Sequence, residues 1–188
     1  MKHDKVLKIC LSGLLIAIGF IIPMFSPLKI LIEPASYTLA SHVAIFVAMF
    51  ISPYMAIAVC IGTTLGFFFS GIFPIIVTLR AASHIVFVIA GSLFLHELSK
   101  NKLTEKKLWI FSLCIGLIHA AVEVAVVSAF YITLNVGDAY YEKGWLVSVL
   151  LLVGLGTVIH SMIDFKLAHI IILPLKKIKG FGELFGKV

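Results

Sequence analysis

Charged residues are scarce in this sequence, at 13% of its 188 residues, whereas a soluble globular domain has about 25%. Hydrophobic residues make up 61% of the chain and lie in long runs rather than at amphipathic spacing. Such runs are typical of membrane-spanning helices, because a helix satisfies its own backbone hydrogen bonds in lipid. We therefore predict an all-α integral membrane protein that forms a single domain over residues 1–188.

Cysteines and nucleotide-binding motifs are also nearly missing. Cys10, Cys60 and Cys114 lie in separate apolar segments without a CxxC pair, which argues against a disulfide framework. No Walker A motif is present, since the glycines of "GFGELFGK" (180–187) have the wrong spacing and no Ser or Thr follows the lysine. We predict that this chain is not an enzyme, has no catalytic residues and holds no cofactor of its own.

Metal-binding motifs are sparse as well. There is no HExxH motif. The pairs His119/Glu123 and His160/Asp164 have a spacing that could ligate a metal, but no helix supplies a dense set of histidines and cysteines. The sequence alone therefore predicts no metal site.

Lysines are clustered along the chain, although the net charge of +6 could by itself suggest a nucleic-acid partner. Eleven of the fifteen basic residues fall in three groups: Lys2, Lys5 and Lys8; Lys100, Lys102, Lys106 and Lys107; and Lys176, Lys177, Lys179 and Lys187. This clustering is typical of the positively charged cytoplasmic segments of membrane proteins. We predict a lipid-bilayer protein with no nucleic-acid partner.

Six spans can be drawn through the apolar runs, with a marginal second one: about 6–25, 37–51, 53–70, 73–97, 108–135 and 145–173. An even number of spans puts both termini, and all three lysine groups, on the cytoplasmic side of the plasma membrane. The proline-containing segment 25–38 then faces outward. Its apolar residues need cover, so it either closes over the bundle as a lid or rests on the lipid headgroups.

Ionisable residues inside the spans are few, and placing one in lipid is costly; an arginine at the bilayer centre costs about 2.5–3.5 kcal/mol on insertion scales. Three helices each carry such a pair at positions i and i+4, which puts both members on one helix face. Depth counting groups the first two pairs, Arg80/His84 and His119/Glu123, in the outer half. It places Asp164, of the third pair, and Lys166 toward the cytoplasm.

Two interpretations of this polar group remain open. Arg80 and Glu123 could form an ion pair that only ties two helices together. Alternatively, the group lines a pocket for a small polar ligand, because a guanidinium fits a carboxylate or a phosphate. The candidate substrate-binding residues are Tyr37, His42, Arg80, His84, His119, Glu123 and His160. Aromatic residues near the same end could supply apolar walls: Phe67, Phe68, Phe69, Phe73, Phe130 and Tyr131.

Several segments resemble the substrate-binding S components of energy-coupling factor vitamin transporters, and among them the niacin-specific members. The similar strings are "IPMFSPLKI", "PASYTLASHVAIFVAMFISP", "GTTLGFFFSG" and "TLRAASHIVFVIAG". The resemblance implies a six-helix subunit that binds niacin (nicotinate) near its outer face. It also implies docking, through small residues that match Gly13 and Ala17, to a coupling subunit that works with two ATPases consuming ATP. Gly13 stands where alanine is usual.

Other functions compatible with the residues are an S component for another small vitamin or precursor, and a small stand-alone secondary carrier. Intramembrane His and Glu residues relay protons in such carriers. The chain shows no inverted repeat, however, which is a common feature of carriers.

Overall fold

The computed structural model describes residues 2–32, 35–99, 103–133, 136–178, 180 and 182–185, with the backbone alone for residues 2–4. Predictions that concern Lys100, Lys102, Lys179 and Lys187, or the side chain of Lys2, lie outside the described residues.

Long apolar helices dominate the described chain, which confirms the prediction of an all-α membrane protein. The long helices are α1 (Lys2–Phe25), α3 (Pro53–Ser70), α4 (Ile75–Leu98), α5 (Glu105–Ile132) and α7 (Gly156–Leu175). A π-helical segment, Leu146–Leu155, leads directly into α7, and a single-turn helix α6 (Asp138–Glu142) precedes it. Within the described part of the chain, five stretches are long and apolar enough to cross a bilayer, the last being Leu146–Leu175.

The predicted second span differs from the helix in the structure. Helix α2 (Val43–Ile51) has nine residues, or about 14 Å at 1.5 Å per residue, about half of the hydrocarbon core. Residues before it form an antiparallel hairpin of β1 (Lys29–Ile32) and β2 (Ala35–Thr38), in which Lys29 lies opposite Thr38. Ala40 then takes a positive φ of 68°, a left-handed conformation that cannot continue a helix.

The packing of α1 depends on two glycines of α3. A Cβ on Gly62 would lie 2.7 Å from Cγ1 of Ile16, and one on Gly66 would lie 3.0 Å from the ring of Phe20. The helices can approach closely only because both positions lack a side chain. Since Gly62 meets Ile16 and Gly66 meets Phe20, α1 and α3 run in the same direction.

A group of buried phenylalanines fills the middle of the bundle. We call Phe46, Phe87, Phe111 and Phe165 the aromatic column; each is at most 4% exposed. Ring centroids are 5.8 Å apart for Phe46 and Phe87, and 5.4 Å apart for Phe165 and each of Phe46 and Phe111. The column lies on the side of the polar residues that faces away from the hairpin.

Candidate functional site

A cavity of about 180 Å³ opens beneath the hairpin and runs into the bundle. All seven predicted binding residues line it: Tyr37, His42, Arg80, His84, His119, Glu123 and His160. Lys29, Ser36 and Thr38 of the hairpin line its mouth, and Phe67 and Phe73 form part of an apolar wall. This is smaller than the roughly 300–1,000 Å³ of pockets for drug-sized ligands, so it suits a single-ring molecule.

Glu123 on α5 is the centre of the first polar network. Its Oε2 accepts hydrogen bonds from Nη2 of Arg80 at 2.8 Å and from the hydroxyl of Thr157 at 2.7 Å. Its Oε1 lies 3.1 Å from Nε2 of His84 and 3.5 Å from Nε2 of His119. Since the Glu123 side chain is only 4% exposed, these partners replace the water that would otherwise solvate its charge.

Asp164 on α7 is the centre of a second network at the start of α2. Its Oδ1 accepts a hydrogen bond from the backbone N–H of Ala40 at 2.8 Å, and its Oδ2 accepts one from the N–H of His42 at 2.9 Å. Its Oδ2 also lies 3.1 Å from Nδ1 of His42 and 3.3 Å from Nε2 of His160.

The predicted separation of Asp164 from the outer polar group is therefore wrong. The cause is the short α2: its first residues start in the middle of the bundle and reach the depth of Asp164. Lys166, two residues further on, lies outside this network. It pairs instead with Glu105 at the start of α5, with 2.8 Å between Nζ and Oε2.

Four histidine rings join the two networks. The ring of His42 lies 4.8 Å from His84, 4.8 Å from His119 and 5.1 Å from His160, measured between centroids. The rings of His84 and His119 are 4.6 Å apart. The aromatic column begins directly behind this cluster, since the ring of Phe87 lies 4.4 Å from that of His119.

Two side chains in this group carry buried nitrogen atoms that make no hydrogen bond to the described residues. Neither ring nitrogen of His119 has a hydrogen bond, although the residue is fully buried. The Nε of Arg80, the only arginine of the chain, is likewise unpartnered. Buried polar groups in proteins are nearly always satisfied by protein, water or a ligand, so these three nitrogens are available to a ligand.

Tyr37 joins the hairpin to the opposite wall, because its hydroxyl donates a hydrogen bond to the carbonyl of Leu152 in the π-helical segment. Its ring passes over Gly156, where a Cβ would lie 2.6 Å from the Cζ of the tyrosine.

Sequence reasoning grouped most of this site correctly and missed some of it. Asp164, Ser41 and Thr157 belong to the networks but were not among the candidates; the His160/Asp164 spacing was a usable signal, whereas nothing in the sequence marked Ser41 or Thr157. Of the suggested aromatic walls, Phe68 and Phe69 do not line the cavity and are 54% and 78% exposed. The role of the seven cavity residues in binding stays a prediction.

The two residues predicted to dock a coupling subunit do not line this cavity and lie on an exposed face of α1. Gly13 and Ala17 are exposed, and a Cβ on Gly13 would meet nothing within 4 Å. Their face of α1 is thus open in the described structure, and their docking role stays a prediction.

Comparisons with known proteins give one clear relative. No family model matches the chain, and no solved structure matches it. The "Niacin transporter NiaX" of Lactococcus lactis subsp. cremoris (strain MG1363) is 43% identical over 167 residues, which cover 89% of this chain and 73% of that protein. This similarity and the five apolar helices show that the chain is a multi-pass protein of the plasma membrane. The chain belongs to the family of the niacin transporter NiaX.

Proposed function

We propose that this chain is the substrate-binding S component of an energy-coupling factor transporter and takes up niacin as nicotinate. The similarity to a protein named as a niacin transporter supports the vitamin class. The observation that carries the proposal is Arg80 at the cavity wall, where Nη2 meets Glu123 while the buried Nε has no partner. A ligand carboxylate supplies the acceptor that this guanidinium lacks.

The remaining chemistry of nicotinate also suits the cavity. Its flat ring fits beside Phe67 and Phe73, whose centroids are 4.5 Å apart. With its carboxylate at Arg80, the ring nitrogen is directed to the histidine cluster, where His84 or His119 donates a hydrogen bond. Nicotinamide, which is uncharged, would leave the arginine without an anionic ligand.

The experiment is equilibrium binding of radiolabelled nicotinate to the purified protein and to Arg80→Ala. We expect at least a tenfold loss of affinity in the variant, because a buried charge-assisted hydrogen bond contributes about 1.5–3 kcal/mol. Lys166→Ala is the matched control, since it removes a cation from an ion pair outside the cavity and should bind nicotinate normally. Wild-type affinity in Arg80→Ala would reject the assignment.

The partners in this proposal are a transmembrane coupling subunit and two ATPases, with the open Gly13/Ala17 face as the docking surface. Replacing both residues by leucine should abolish co-purification of the partners while nicotinate binding persists. Ala121 and Ala125, an exposed small pair on α5, provide the control when changed to leucine in the same way. Retained co-purification in the α1 variant would exclude this face.

A stand-alone secondary carrier is the competing function, and the energy source separates the two. Uptake by an S component should stop when ATP is depleted in cells that keep their proton gradient. Uptake that instead stops with an uncoupler while ATP is maintained would favour the carrier.

We also propose six crossings with both termini in the cytoplasm. Five crossings are the long apolar stretches, and the hairpin together with α2 makes the sixth. The parallel directions of α1 and α3 support this path, because the chain has to return between them.

A further inference from the structure

The cavity is short of positive charge for an anionic ligand. One guanidinium, that of Arg80, pairs with the buried carboxylate of Glu123, and a second buried carboxylate, Asp164, lies beside His42 and His160 of the cavity wall. A nicotinate carboxylate would add a third negative charge in the same enclosed space. Lys29 lines the mouth but is exposed, so water and salt screen its charge. Buried charge without a counter-charge is strongly unfavourable, so a further cation is needed.

Three histidines at the inner end of the cavity are arranged to hold a cation. His42, His84 and His119 come from three separate elements, and each is buried. Their ring centroids form a nearly equilateral triangle with sides of 4.8, 4.8 and 4.6 Å. One ring nitrogen from each lies within 4.8 Å of the other two. Zinc bound at about 2.0–2.1 Å holds its ligands about 3.4 Å apart, a spacing that small ring rotations would reach.

Each ring is also oriented by a carboxylate, as in many metal sites. Asp164 contacts Nδ1 of His42, and Glu123 contacts Nε2 of His84 and lies near Nε2 of His119. The second nitrogen of each ring has no hydrogen bond among the described residues. A histidine that binds a metal commonly keeps its other ring nitrogen on a carboxylate, and Asp164 and Glu123 lie close enough to these rings to act in that way.

His119 gives the independent sign of a ligand. It is fully buried, and both of its nitrogens lack a hydrogen bond. A second grouping, His42 with His160 and Asp164, meets the same distance limit. It is the weaker candidate, because Asp164 is already engaged by the N–H groups of Ala40 and His42.

We propose that His42, His84 and His119 bind a divalent transition-metal cation of the zinc type at the inner end of the cavity, and that this cation is bound together with the anionic ligand. Three neutral imidazoles suit such a metal and leave a fourth position open. The pyridine nitrogen of nicotinate can occupy that position, in place of a hydrogen bond from a histidine. Only this last step rests on the proposed function; the metal site itself does not. The proposal replaces the expectation from sequence that the chain binds no metal.

The test uses the full-length protein in detergent, stripped of metal with a chelator and titrated with Co²⁺ alone. Co²⁺ reports a tetrahedral nitrogen site by its visible absorption bands, and Zn²⁺ should abolish them by displacement. We expect one Co²⁺ per chain, with affinity falling at least tenfold in His84→Gln and in His119→Gln. His96→Gln and His169→Gln are matched controls outside the cavity and should bind Co²⁺ like the wild type. The melting temperature of every variant identifies any that fails to fold.

Each outcome decides between this site and its alternatives. Equal Co²⁺ binding in folded His84→Gln and His119→Gln would overturn the proposal, as would the absence of a stoichiometric site. Nicotinate binding in chelator that strengthens steadily as the pH falls would assign the missing positive charge to protonated histidines and also overturn it. Since Co²⁺ is titrated without nicotinate, failure of the niacin assignment would leave the metal result readable.

Discussion

Asp164 has no exposed surface and organises the start of α2 through its contacts with Ala40 and His42. The acceptor matters because the backbone N–H groups at a helix start have no partner within the helix. A carboxylate there also interacts favourably with the helix dipole. Asp164 is therefore a structural residue of the site as well as part of its charge balance.

Asp164→Asn tests this role. The amide keeps the shape but removes the charge and replaces one acceptor by a donor that faces N–H groups. We expect a loss of about 2–4 kcal/mol in stability, since a buried group is left unsatisfied. It should be visible as a lower melting temperature in detergent. Asp138→Asn, at an exposed position, is the control and should melt like the wild type; an equal effect of both would contradict the argument.

Four of the residues found from sequence share one property. Arg80, His84, His119 and Glu123 lie on long straight helices, where spacing fixes the face and chain position fixes the depth. Asp164 and the start of α2 depend on a contact between segments 124 residues apart in the chain, from Ala40 to Asp164. No local pattern encodes that contact, so depth counting along uniform spans misplaced it.

At the scale of elements, the hairpin is held to the bundle by Tyr37. The strand β2 turns polar residues to the cavity mouth, while β1 leaves Ile30 and Leu31 63% and 72% exposed. The hairpin thus has one strand that lines the cavity and one strand with exposed apolar side chains, which combines features of the lid and of the interfacial loop. The sequence predicted a loop here because a strand forms only with its partner strand, and a local sequence pattern does not show that pairing.

Tyr37→Phe should loosen this hairpin by removing the hydrogen bond to Leu152, which contributes about 0.5–1.5 kcal/mol. We expect bound nicotinate to dissociate about two- to tenfold faster, as measured by chasing radiolabelled ligand with unlabelled ligand.

Gly156→Ala should also make bound nicotinate dissociate faster, because the Cβ of the alanine would occupy the space of the Tyr37 ring. Gly137→Ala is the control, as nothing lies within 4 Å of the Cβ it would carry. Unchanged dissociation in both Tyr37→Phe and Gly156→Ala would show that the hairpin does not retain the ligand.

At the scale of the whole molecule, the path of the chain decides which ends face which compartment. The helix directions follow from the packing of α1 on α3, but the side of the membrane rests on the lysine groups, several of which lie outside the described residues. Composition predicted the membrane class and most spans. It could not reveal that the segment predicted as the second span consists of a hairpin and a half-length helix.

Cysteine labelling in intact cells measures this topology. In a variant without Cys10, Cys60 and Cys114, single cysteines at Asp138 and Lys106 should respond oppositely to an impermeant maleimide. We expect labelling at 138 from outside and at 106 only after the membrane is opened. Labelling of both from outside would contradict the six-crossing path.

The aromatic column has an electrical consequence. Histidines and carboxylates that continued through the bundle would form a relay along which protons could leak, driven by about 2.3 kcal/mol per charge for each 100 mV across the membrane. The relay ends where Phe87 meets His119, and Phe46, Phe165 and Phe111 continue as side chains that neither donate nor accept protons. The phenylalanines thus interrupt the path along which protons could move between buried polar groups. The charged groups of the site can therefore lie in the membrane without carrying a proton leak that would lower the membrane potential.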